Sequence, residues 1–146
     1  MAYYRVLNMK IKKINDLSKY EGEFTITDGS FDISGTCISL PLPGNRIPEI
    51  GLQVSRVYAF FLTDNPDVKK LYRESDHKYI LKKNSLFGMA YFVQGYVLDS
   101  EKFLIKVFGF TISLEYLYGT EYCNKKFDFT NGDWISFTVD RFDVEI

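Results

Sequence analysis

His77 is the only histidine in the chain of 146 residues, and the two cysteines, Cys37 and Cys123, lie far from it and from each other along the sequence. One imidazole cannot build a His-Glu-x-x-His zinc site, a multi-histidine metal cage or a paired-histidine acid/base site. Neither cysteine belongs to a Cys-x-x-Cys pair, so two free thiols are expected, with Cys37 a small buried strand residue. No metal and no cofactor are assigned. The phosphate-binding loop Gly-x-x-x-x-Gly-Lys-Ser/Thr, the Gly-x-Gly-x-x-Gly turn, the Gly-x-Ser-x-Gly elbow and the calcium-binding loop are all missing from the sequence. The 19 acidic residues offer many carboxylate pairs, but nothing in their spacing singles out one pair at the separations glycoside hydrolysis uses. An enzyme using carboxylates or Cys/His is the least supported reading, and no catalytic residue is named.

Recognition chemistry is better represented. The segment 64–83 combines dense mixed charge with Tyr72, Arg73, Asp76, His77 and Tyr79, and tyrosine and arginine are frequent interface anchors because they bury large area and bond directionally. Within "LYRESDHKYILKK" His77 reads as an exposed loop histidine, since no neighbour marks an orienting partner for a base. Trp134, the only tryptophan, shares the parity of Ser136 and Thr138 and opposes Ile135, Phe137 and Val139. It should face away from the main core, as a protein hot spot or a stacking platform, or lie under the 119–126 loop. The partner-binding candidates are therefore Tyr72, Arg73, Asp76, His77 and Trp134.

The elements that must carry these residues read mainly as strands. Asp28-Gly29 and Asn131-Gly132 stand between alternating runs, as two-residue type I′ hairpins require, and Asp99 to Lys102 forms a longer turn. Further strands are expected over Tyr4 to Lys13, Leu52 to Leu62, Tyr79 to Lys82 and Phe87 to Leu98. Helix is confined to one short element near 66–73, where Asn65 can cap and Pro66 fits the first position, with a weaker helical turn at Asp16 to Tyr20. "ISGTCISL" (Ile33 to Leu40) is echoed by "VFGFTISL" (Val107 to Leu114). Around Gly35 and Gly109 the apolar positions change parity, which a continuous strand cannot do, so a glycine bend is expected at each. A second parity change accompanies Arg56 and Arg141. The echo then marks two related β units, about 22–62 and 91–146, within a single domain 1–146.

The fold class expected is all-β and mainly antiparallel: a β-sandwich or a small closed or partly open barrel with Gly-bent strands. A net charge of −1 and a pI near 5.8 give no field that would gather a polyanion. No run approaches the ~18 apolar residues of a membrane span, and "MAYYRVLNMKIKK" lacks a secretory apolar core. A cytoplasmic protein is expected, with no membrane partner.

These features favour a non-enzymatic protein that binds a partner protein, such as a small bacterial immunity or inhibitor protein blocking a toxin. The alternative is an OB-like single-stranded nucleic-acid-binding module, served by many aromatics and by the pairs Lys12-Lys13, Lys69-Lys70, Lys82-Lys83 and Lys125-Lys126. The absence of a dense basic stripe counts against it.

Overall fold

Period-two alternation of apolar and polar residues builds strands throughout the chain. The computed structural model describes residues 9–63, 65–84, 89–115, 123, 124 and 126–146. Its strands are β1 (Lys10–Leu17), β2 (Gly22–Thr27), β3 (Asp32–Cys37), β4 (Arg56–Phe60), β5 (Lys69–Lys70), β6 (Ile80–Lys83), β7 (Tyr91–Asp99), β8 (Leu104–Val107), β9 (Phe110–Ser113), β10 (Trp134–Val139) and β11 (Arg141–Glu145). They form one mixed, unclosed sheet in the order β1-β2-β3-β11-β4-β9-β8-β7-β10-β5, with β6 also paired to β7. The fold is all-β.

The sheet is nearly divided at one place. Between β4 and β9 the ladder consists of the single parallel pair Tyr58 and Ser113, leaving five strands on one side and six on the other. The halves turn toward each other across that hinge. The Tyr91 ring of β7 lies 5.1 Å from Phe142 of β11, and its hydroxyl accepts the Ser34 backbone N–H of β3 at 3.0 Å. One hydrophobic cluster fills the space between, with Phe24, Phe103, Phe110 and Phe142 fully buried. Phenylalanine suits this gap because each ring spans much of the ~10 Å between facing sheets.

The corner between the halves is not where the glycines predict it. Gly35 lies inside β3, whose pairing with β2 is unbroken from Gly22–Cys37 to Thr27–Asp32, and Ile33, Gly35 and Cys37 all face inward. Parity changes only past the strand end, where Ile38 is exposed and Leu40 buried. Gly109 sits in a two-residue turn joining Val107 of β8 to Phe110 of β9, with Phe108 at φ 51°. Such a turn changes parity by itself. The two glycines therefore occupy unlike places, and neither bends a strand. The chain does pass from one half to the other at Asp140: β10 pairs with β7, while β11 pairs with β4 and β3. Asp140 holds this corner by donating its N–H to Phe60 O (2.9 Å) and accepting the Leu62 N–H on Oδ2 (2.8 Å).

Other local expectations also change. The connection after β2 has four residues, Asp28 to Phe31, since Thr27 pairs with Asp32. Asp28 Oδ1 accepts the N–H groups of Ser30 and Phe31, an Asx turn that replaces the I′ geometry. Asp99 repeats the device, accepting from Glu101 and Lys102 in the turn expected there. Asn131-Gly132 is a turn in which only glycine has positive φ (87°), and the residues before it form no strand. Leu17 remains strand, so no helical turn occurs at Asp16 to Tyr20. β1 begins at Lys10; the earlier part of the Tyr4 to Lys13 strand, up to residue 8, and most of the 119–126 loop lie outside the described residues.

The helix near 66–73 is replaced by extended chain. Two helical turns are marginal without packing, whereas the open edge of β10 offers ladder partners: Lys70 pairs with Ile135 and Lys69 with Ser136. A 3-10 turn follows at Glu74–Asp76.

Among the described residues buried polar side chains are few. Asp143 on β11 is 2% exposed and accepts Arg141 Nε at 2.6 Å, while the guanidinium lies 4.2 Å from the Phe60 ring centre. Burial pushes the Asp143 carboxyl up, partly opposed by Arg141. An acid raised on folding contributes stability below its unfolded pKa and loses it as pH rises through the folded value. Arg141→Met removes the opposing cation, so the variant should be destabilised by about 1–2 kcal/mol at pH 7. That is less than the loss of a fully buried partner, because Arg141 reaches solvent. The deficit should shrink toward pH 4, and urea unfolding at the two pH values reads it.

Candidate functional site

The segment Leu71 to Tyr79 connects β5 to β6, and in the sheet those strands are separated by β10 and β7. The connection therefore crosses two strands, a span of about 14 Å for three strand spacings. The inner face is filled by core, so the segment runs over the outer face as a strap. This accounts for an otherwise anomalous burial pattern. On β10 and β7 the outward positions include Ser136 (7% exposed) and Gln94 (6%), both polar and both buried.

Gln94 anchors the strap. Its Nε2 amide group donates to the carbonyl oxygens of Asp76 (2.7 Å) and Lys78 (3.0 Å). At the other end Leu71 N–H donates to Trp134 O (2.7 Å). His77 ties the strap to itself: Nε2 lies 2.7 Å from Leu71 O, and because a carbonyl only accepts, that nitrogen carries the proton.

Aromatic packing supplies the apolar part. Trp134 and Tyr96 are cross-strand partners on the outer face, with ring centres 5.6 Å apart. The His77 ring stacks on Trp134 at 5.5 Å and 12°. Tyr79 packs on Trp134 at 5.2 Å and on Phe108 at 5.3 Å. Burial pushes the Tyr79 hydroxyl up, with Lys106 opposing the shift, and Lys106 Nζ also lies 5.8 Å from the Tyr96 ring centre.

Trp134 thus faces outward as its parity requires, and His77 and Tyr79 cover it. His77 and Trp134, 57 residues apart, are brought into contact. Tyr72 and Arg73 follow Leu71 in the strap with their side chains in solvent: Tyr72 is 86% exposed, the highest value among the described large apolar side chains, and Arg73 is also exposed. Asp76 points to solvent while its backbone serves the Gln94 anchor. His77 is a half-buried structural pin, not a free loop histidine. Gln94, Tyr96 and Phe108 were missed in the sequence. The signal for the first two is parity, since Phe92, Gln94, Tyr96 and Leu98 oppose the inward Tyr91, Val93 and Val97.

Cys37 and Cys123 are free and buried, on the core side of the sheet and away from His77. Burial pushes the Cys123 thiol to about 11 and raises Cys37 as well. The nucleophilic thiolate is then scarce at pH 8, about one part in a thousand for Cys123. A thiol reagent at that pH should label neither cysteine in the native protein and both in denaturant; rapid native labelling of Cys123 would contradict this environment.

A groove of about 510 Å³ on the other half is lined by residues including Ile38, Pro41, Tyr58 and Glu145. Within it the Tyr58 hydroxyl donates to Glu145 Oε2 at 2.9 Å. Among the described residues no group of three or more His, Cys, Asp or Glu is arranged to hold a metal ion, and no helix is long and apolar enough to cross a membrane. No family model matches the chain, and comparison with curated proteins and with solved structures finds no match.

Proposed function

We propose that this is a non-enzymatic, cytoplasmic protein that binds and blocks a partner protein through the strap, as a small immunity or inhibitor protein does. One observation carries this reading: a tyrosine that is 86% exposed, followed by an exposed arginine, in a loop anchored by a buried amide. Leaving a large aromatic in water has no folding benefit, and the same side chain becomes a strong anchor when it fills a partner's pocket.

The nucleic-acid alternative has less support. The indole of Trp134 already carries the His77 ring, with Tyr79 and Tyr96 packed around it, so it offers no open stacking platform for a base. A fluorescent single strand titrated at low salt, where phosphate contacts are strongest, separates the readings: protein recognition predicts no saturable binding. The test for a protein partner is co-purification by the wild type against the Tyr72→Ala variant.

A further inference from the structure

We infer that Gln94 and His77 are positioning residues that hold Tyr72 and Arg73 as a preformed tip, so that the partner presents a recess to a loop already in its binding shape. The inference rests on the protein-binding reading above and deepens it. Three observations support it. Gln94 is almost completely buried on the solvent side of a sheet, where an apolar or small residue would pack without needing partners, and its amide group serves two strap carbonyls. His77 closes the strap on itself through Leu71 O while its ring is clamped on Trp134. Between these pins the 3-10 turn at Glu74–Asp76 is closed by Asp76 N–H to Arg73 O (3.0 Å) and His77 N–H to Glu74 O (3.0 Å). Tyr72 and Arg73 lie inside that closed loop, so their backbone is constrained although their side chains are in water. A loop ordered before binding avoids the entropy of ordering at the moment of contact. A tyrosine 86% exposed on an ordered loop also suits a partner with a recess for the ring, since little of either backbone must move.

The experiment is amide hydrogen exchange on the whole protein, with thermal unfolding measured in parallel. In the wild type the Asp76 and His77 amides should be protected well above an open loop. Gln94→Met keeps the volume and removes both donors, and should speed exchange at these amides at least tenfold while Val93 and Val97 in β7 keep their protection. His77→Phe preserves a ring on Trp134 but loses the Leu71 bond, and should loosen the same amides. Unprotected Asp76 and His77 amides in the wild type, or unchanged exchange in both variants, would overturn the inference. So would a loss of protection spread evenly over β7 and β10, which would make the two residues general supports of the sheet. These outcomes are independent of the partner: the loop can prove rigid even where Tyr72→Ala leaves binding intact, in which case the binding reading fails and the preformed loop stands.

Discussion

Gly95→Ala is expected to destabilise the protein by about 3 kcal/mol, lowering the thermal midpoint by roughly 10 °C. Gly95 lies in β7 where the strand's partner changes from β6, paired over Tyr91 to Gln94, to β8, paired from Tyr96 onward. A Cβ there would overlap the carbonyl oxygen of Lys106 and stand 2.9 Å from Val107 Cγ2. Backbone cannot yield as a side-chain tip can, so β8 must move, and with it the β7–β8 ladder. The echoed glycines calibrate the effect. At Gly35 the added carbon would meet Val144 Cγ1 at 2.7 Å, a side chain able to shift, so the cost should be smaller, about 1–2 kcal/mol. At Gly109 the nearest atom is 3.8 Å away, and Gly109→Ala should leave the midpoint nearly unchanged. Differential scanning calorimetry of the three variants gives the order directly. A Gly109 variant as damaged as the Gly95 variant would restore the bend that parity predicts and contradict the turn.

The second large effect concerns binding. Tyr72→Ala removes a ring that touches little of its own protein, so the fold should be unaffected. Hot-spot tyrosines commonly contribute ~2 kcal/mol or more to an interface, hence the expectation of at least a 30-fold weaker complex. Arg73→Ala should weaken it to a similar degree and reduce its salt dependence, because an exposed guanidinium contributes charge-assisted bonds to the partner. A variant of Ile50, 68% exposed on the other half beside Lys10 and Lys12, serves as the control for general loss of surface apolarity.

How much was legible in the sequence differs by element. Strand content and the outward direction of Trp134 follow from period-two alternation, which local chemistry enforces wherever one face of a sheet is buried. The positions of the corners do not. A parity change has at least three causes in this chain: the end of β3 at Ile38, the two-residue turn at Phe108-Gly109, and the true corner at Asp140. Glycine marks the first two segments and the third has none. The helix near 66–73 failed for a related reason. Asn65, Pro66 and Asp67 are good local helix signals, but the ladder partners that capture Lys69 and Lys70 are contributed by β10, more than sixty residues downstream.

The segment proposed for recognition stands out in the sequence because Tyr72, Arg73 and His77 fall close together. Its anchor does not. Gln94 is an unremarkable polar residue on a strand until the crossing from β5 to β6 buries it. That crossing depends on strand order, and no local pattern discloses strand order.

The most direct test of the account is a paired co-purification. The wild type and the Tyr72→Ala variant are each expressed with an affinity tag in the cell of origin and compared with the Ile50→Ala control. One stoichiometric protein should be retained by the wild type and by the control and lost from the Tyr72 variant, whose thermal midpoint is unchanged. Equal retention by all three would contradict binding through Tyr72.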